Sequence, residues 1–196
     1  MDHIDSKICI AFEGARRIAS GSLAEVVAAT KPSVDRGAGA PILIFDQVTS
    51  APIEVDFRGT LAEVLARLPT PEPISTIVDK DAPRGPGRPK LGVVAREVTL
   101  LPRHWDWLSK QPSGASVALR KLVEAARRSN EGPDQTRRAR DAAYKFISVL
   151  AGNEPGFEEA SRALFAGNRT GFAKLAAAWP ADVRDHALTL AAKAFP

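Results

Sequence analysis

Cysteine is almost missing from this chain: Cys9 is alone among 196 residues. One thiol excludes an internal disulfide and a cysteine cluster for zinc. Its place in Ile8-Cys9-Ile10-Ala11-Phe12 reads as a buried strand residue rather than a nucleophile. No apolar run approaches the length needed to cross a bilayer. Met1-Asp2-His3-Ile4-Asp5 lacks the basic and apolar stretches of a signal peptide, so a cytoplasmic location is expected. The sequence also lacks a phosphate loop, a dinucleotide fingerprint, a nucleophile elbow and paired histidines at metal spacing. It is therefore expected not to be an enzyme and to use no cofactor or metal. Of the three scattered histidines, His104 reads as an exposed or half-buried helix residue and His186 as part of a solvated helix face. Asp182 and Asp185 read as capping and dipole compensation after Pro180 rather than as an acid pair.

What is present is an uneven distribution of charge. The chain carries a net +4, divided as −4 over residues 1–79, +7 over residues 80–128 and +1 over residues 129–196. Attraction to phosphates depends on local clusters, so a nucleic-acid partner points to the middle of the chain.

Four regions follow from patterning. Residues 1–68 read as a small ββα unit used twice: Ile8, Ile10 and Phe12 alternate before Glu13-Gly14, and Ile53, Val55 and Phe57 alternate after Ser50-Ala51-Pro52. The helix starts Gly21-Ser22-Leu23-Ala24-Glu25-Val26-Val27-Ala28 and Gly59-Thr60-Leu61-Ala62-Glu63-Val64-Leu65-Ala66 agree at six of eight positions. Each carries a capping box, Ser22 with Glu25 and Thr60 with Glu63. The agreement suggests an internal duplication; two unrelated helices with a common cap is the alternative. Residues 69–94 form a Pro/Gly-rich basic linker, with six prolines between Pro69 and Lys90. Residues 131–196 read as a helical bundle: Ala139, Ala142, Ala143, Phe146 and Leu150 share one face, and shorter helices cover Phe157 to Phe165, Phe172 to Ala178 and Val183 to Ala194. The class expected is α+β.

Residues 95–130 lie between linker and bundle. Ala95-Arg96-Glu97-Val98-Thr99-Leu100-Leu101 is strand-like and stops at Pro102, a residue suited to the first turn of a helix. That helix carries Trp105 and Leu108 on one face and breaks at Pro112-Ser113-Gly114-Ala115; Ser116 is expected to cap a second helix, Val117 to Arg128. Its Leu119, Leu122, Val123 and Ala126 form an apolar stripe beside Arg120, Lys121, Arg127 and Arg128. Trp105 reads as core rather than as a stacking platform, and Trp107 points off that face. Arg127 and Arg128, with Arg137, Arg138 and Arg140, are also compatible with an ordinary solvated face.

The order strand, helix, glycine turn, helix resembles the ribbon-helix-helix DNA-binding proteins of bacteria over about a fifth of the chain. The resemblance implies an intertwined homodimer whose paired strands enter the major groove, with phosphate contacts at the start of the second helix. Carried onto this sequence, DNA contact falls to Arg96, Glu97, Thr99, Ser113, Gly114 and Ser116. Dimerisation falls to Val98, Leu100, Trp105, Leu108, Leu119, Leu122 and Val123. The strand departs from the family's alternation. One phase turns Leu101, Thr99 and Glu97 inward; the other buries Val98 and Leu100 and presents Glu97 and Thr99, and the cost of burying a carboxylate favours the second. Upstream, Gly87-Arg88-Pro89-Lys90 resembles half an AT-hook, with Pro86 in place of its first arginine and Arg84 near enough for a phosphate. Nearly end to end, the chain is also similar to a bacterial family of unknown function, domain of unknown function 2239. That similarity is carried by Arg88-Pro89-Lys90-Leu91-Gly92-Val93-Val94-Ala95-Arg96-Glu97-Val98-Thr99-Leu100-Leu101-Pro102-Arg103-His104-Trp105 and Trp179-Pro180-Ala181-Asp182-Val183-Arg184. The expected function is a DNA-binding dimer of the transcription-regulator or nucleoid-associated kind, with the N-terminal ββα unit or the C-terminal bundle as the place for a protein partner; a dimeric protein-interaction adaptor that does not bind DNA is the alternative.

Overall fold

A computed structural model describes residues 8–69, 94 and 96–195. The chain forms two compact units, one built from residues 1–68 and 131–196 and the other from residues 69–130. In the first, strands β1 (Ile8–Glu13), β2 (Arg16–Ser22) and β3 (Ile42–Asp46) accompany helices α1 (Leu23–Asp35) and α2 (Leu61–Arg67). The second contains α3 (Pro102–Ser109) and α4 (Gly114–Ser129). The chain then returns to the first unit with α5 (Glu131–Leu150), α6 (Phe157–Phe165), α7 (Arg169–Ala176) and α8 (Ala181–Ala191).

The three strands make an antiparallel sheet in the order β2-β1-β3. As the central strand, β1 must bury both faces, which is why Ile8-Cys9-Ile10-Ala11-Phe12 is an almost continuous apolar run. Cys9 and Ala11 face one core with Val26 and Val27 of α1 and Val64 of α2. Ile10 and Phe12 face the other, with Phe45 of β3, Phe146 and Ile147 of α5, and Val183 and Ala187 of α8. This differs from the division into a ββα-repeat unit and a separate bundle: the sheet and the C-terminal helices share one core. The reason is the period of two along β1, which leaves Ile10 and Phe12 on a face that α1 and α2 do not cover.

Both capping boxes are present. The Glu25 carboxylate accepts from the Ser22 amide at 2.8 Å, and the Glu63 carboxylate from the Thr60 amide at 2.7 Å. These hydrogen bonds hold both carboxyls below the usual range. Gly59, at φ +87°, sits where a Cβ would collide with the Glu63 carboxylate, so the second box depends on the glycine before it. The second half of the expected repeat is only partly regular. Residues 53–57 form no ladder strand, and the pairing with β3 stops at a Phe45–Pro52 bridge and an Ile53 amide bond to Ile44 at 2.8 Å. Pro52 has no N–H to extend it. Ile53, Val55 and Phe57 still pack on the α1/α2 side, so their alternation encodes a packing face without a sheet.

In the helical layer, α5 buries Ala142, Ala143, Phe146 and Ile147, the face expected from its periodicity. Trp179 stands edge-on to Phe172 at 6.1 Å and donates its indole N–H to the Pro155 carbonyl at 3.1 Å. Asp182 accepts from the Arg17 backbone amide at 2.8 Å, tying the start of α8 to β2. His186 is not on a solvated face. It is 5% exposed, with its ring 4.6 Å from Phe146 and 5.9 Å from Phe12, because α8 turns this side toward the sheet. Its Nε2 has no hydrogen-bond partner, and burial, with the Arg17 charge, pushes its pKa down to about 4.

Candidate nucleic-acid interface

The second unit is organised around a helical hairpin. Pro102 occupies the first turn of α3, where its missing N–H costs nothing and its fixed φ suits the helix. The helix ends where the Lys110 amide bonds the Trp107 carbonyl and the Gln111 side chain donates to the same carbonyl at 3.1 Å. Gly114 opens α4 at φ +74°, a left-handed conformation that favours glycine, and explains the break at Ser113-Gly114. Ser116 does not cap α4. The helix begins two residues earlier, with Ser113 at the N-cap making no side-chain bond, and Ser116 lies within the first turn, where its carbonyl accepts from Arg120 Nε at 3.3 Å.

Burial in this unit is slight. Among the described residues only Leu108 is buried, at 2%; Leu100 and Leu119 are half-buried, and α4 buries nothing. Trp105, expected in a core, is 42% exposed, and Val98, Leu101, Trp107, Leu122 and Val123 are 49–64% exposed. The apolar stripe legible in the sequence exists as a helix face, but one chain does not cover it.

Residues 96–101 carry no regular structure, so the strand expected over 95–101 is not formed within this chain. A strand without a partner has no ladder to join, and no other described segment pairs with it. Arg96, Glu97 and Thr99 are exposed, as are Ser113, Gly114 and Ser116 at the start of α4. Arg84, Arg88, Pro89 and Lys90 lie outside the described residues, as does Ala95.

The cations of α4 divide into two pairs. Glu124 accepts from Arg127 at 3.0 Å and from Arg128 at 3.2 Å, and the first of these bonds draws its carboxyl below the ordinary range. Arg120 and Lys121 are exposed and form no ion pair with any described carboxylate. Among the described residues no group of His, Cys, Asp and Glu could hold a metal ion, and no helix is long and apolar enough to cross a membrane. Two features escaped sequence reasoning: the burial of His186, and a Tyr144–Phe165 aromatic pair on the outside of the helical layer.

The fold thus defines an α+β protein with a three-stranded sheet, helices on both of its faces, and an additional basic helical hairpin. Residues 8–191 match the family described as an uncharacterized protein conserved in bacteria (DUF2239), and the chain belongs to that family. No curated protein and no solved structure matches it.

Proposed function

We propose that the protein is a cytoplasmic, non-enzymatic DNA-binding homodimer of the transcription-regulator or nucleoid-associated kind. The observation that carries this reading is the surface of residues 96–130. Six large apolar side chains there are 42–64% exposed, beside the cations Arg120 and Lys121, which pair with no described carboxylate. A helical hairpin that buries one leucine cannot offset the entropy of ordering itself, and a second copy supplies the missing core. The same association gives residues 96–101 a partner strand, in the order extended segment, helix, glycine turn, helix that ribbon-helix-helix proteins use. Val98 and Leu100 would then turn inward, with Thr99 and Glu97 toward the groove. Ser113, Gly114 and Ser116 would meet phosphate, and the basic stretch Arg84, Arg88, Pro89 and Lys90 would act as an arm in an A·T-rich minor groove.

The test is a titration of labelled A·T-rich and G·C-rich duplexes with the full-length protein at several salt concentrations, read by fluorescence anisotropy. Affinity that falls steeply with salt supports phosphate contact, and A·T preference supports the arm. Absence of binding at low salt overturns the DNA reading. One observation favours a second reading: Glu97 is exposed on the segment that would face DNA, and a carboxylate there repels phosphate. In that reading the same surface dimerises an adaptor that binds protein alone. Charge reversal at Arg88 and Lys90 separates the two, since it abolishes duplex binding only if the arm contacts DNA.

A further inference from the structure

The first unit carries a groove of mixed aromatic and basic character, whose described lining residues fall between 132 and 195. Its volume, about 890 Å³, lies within the range of pockets that hold organic ligands. Arg137 and Arg140 enter it from α5, three residues apart and so on one face, and Lys193 enters from beyond α8. Phe165, at the end of α6, and Phe195 supply rings, and among the described lining residues Asp141 is the one carboxylate against three cations.

These cations are available to an anion. Lys193 forms no ion pair with any described residue and is exposed. Arg137 pairs with Asp134 at 2.8 Å, but the arginine side chain is 70% exposed, and such a surface pair is weak enough to be exchanged for a phosphate. Arg140 is aimed by the bond from its Nε to the Ala194 carbonyl at 3.0 Å, which leaves its terminal nitrogens for a ligand.

The rings are as informative. Phe146 and Phe172 are fully buried, whereas Phe165 is 49% exposed, and Tyr144, 40% exposed, meets it edge-on at 5.3 Å. The tyrosine holds the Phe165 ring in place without burying it. An aromatic surface braced in solvent beside three cations suits a ligand with flat, stackable rings on a phosphate backbone. In a duplex the base faces are stacked on one another, so the complementary ligand has unpaired bases.

We propose that this groove binds single-stranded nucleic acid, with phosphates on Arg137, Arg140 and Lys193 and a base stacked on Phe165. The proposal stands on the first unit alone and does not depend on the duplex-binding reading of the hairpin. It is tested with the full-length protein and a fluorescein-labelled ten-nucleotide oligo-dT at low salt, followed by anisotropy, with an abasic ten-mer as comparison. Phe165→Ala weakens oligo-dT binding by about tenfold, the effect of losing one base stack. Arg137→Glu with Lys193→Glu weakens it at least as much and lowers its salt dependence. The abasic strand binds more weakly than oligo-dT. Phe165→Leu, which keeps apolar packing and removes the ring, decides the stacking should Phe165→Ala lower the melting temperature. Wild-type affinity in all three variants, equal affinity for the abasic strand, or no binding of oligo-dT overturns the proposal. So does a loss seen only with Arg120→Glu and Lys121→Glu, which would place the binding on α4.

Discussion

The buried imidazole of His186 makes the stability of the first unit depend on pH in a calculable way. In the folded protein burial and the Arg17 charge push its pKa down to about 4, against an ordinary value of 6.5. Between those values the unfolded chain binds a proton that the folded chain refuses. Stability therefore rises with pH across this window: it is complete above about pH 6.5 and is lost as pH falls toward 4. At 1.36 kcal/mol per pH unit, the loss attributable to His186 is at most about 3 kcal/mol, a sizeable share of a marginal folding free energy. His186→Phe keeps a ring among Phe12 and Phe146 and removes both nitrogens, including the unpartnered Nε2. Relief of that unpaired group makes the variant as stable as wild type or more so at pH 7, by about 1 kcal/mol. The measurement is urea unfolding of both proteins at intervals from pH 7.5 to 4, with the difference in unfolding free energy plotted against pH. Carboxylates titrate in both proteins and cancel in the difference. A difference that widens below pH 6.5 supports the reasoning; parallel curves across the window would refute it.

Phe146→Ala removes a ring packed against Phe12, Phe45 and His186, and is expected to cost about 3–5 kcal/mol. Because that ring bridges the sheet and α5 to α8, the strand signal should be lost together with the helix signal of the first unit; a strand signal that melts apart from every helical transition would contradict a shared core. Thr60→Ala removes the hydroxyl of the second capping box and lowers stability by about 1 kcal/mol in urea. Gly59→Ala costs more, since φ +87° and the Glu63 carboxylate both oppose a Cβ. Leu122→Glu on the exposed face of α4 leaves the melting of the first unit unchanged and, if the proposed homodimer forms through α4, shifts the full-length protein toward monomer in sedimentation; an unchanged mass at all concentrations would remove α4 from the proposed interface.

Much of the local structure was legible in the residues. Ser22 with Glu25 and Thr60 with Glu63 announce two helix starts, because a capping box is a short-range hydrogen-bond pattern that needs no tertiary partner. Ala142, Ala143 and Phe146 announce the buried face of α5 by their spacing, and Pro102 marks where α3 begins; Gly114 reads only as a break, and α4 starts at it rather than after Ser116. The hairpin's apolar stripe was legible for the same reason. Its exposure was not, since periodicity identifies an apolar face and is silent about what covers it.

Tertiary structure decided the rest. That Ile10 and Phe12 meet helices more than a hundred residues further along the chain is a long-range pairing with no local signature, and it joins regions that composition separates with a proline-rich stretch. The same packing takes His186, flanked by Asp185 in the sequence, into a site between two phenylalanines. It also leaves Phe165 and Tyr144 outside while burying Phe146 and Phe172. The sequence by itself determined where α1, α2 and α3 start and which faces are apolar, because backbone capping and side-chain period act within a few residues. Which faces meet was decided only in three dimensions, because burial is a property of the surfaces that a side chain finds.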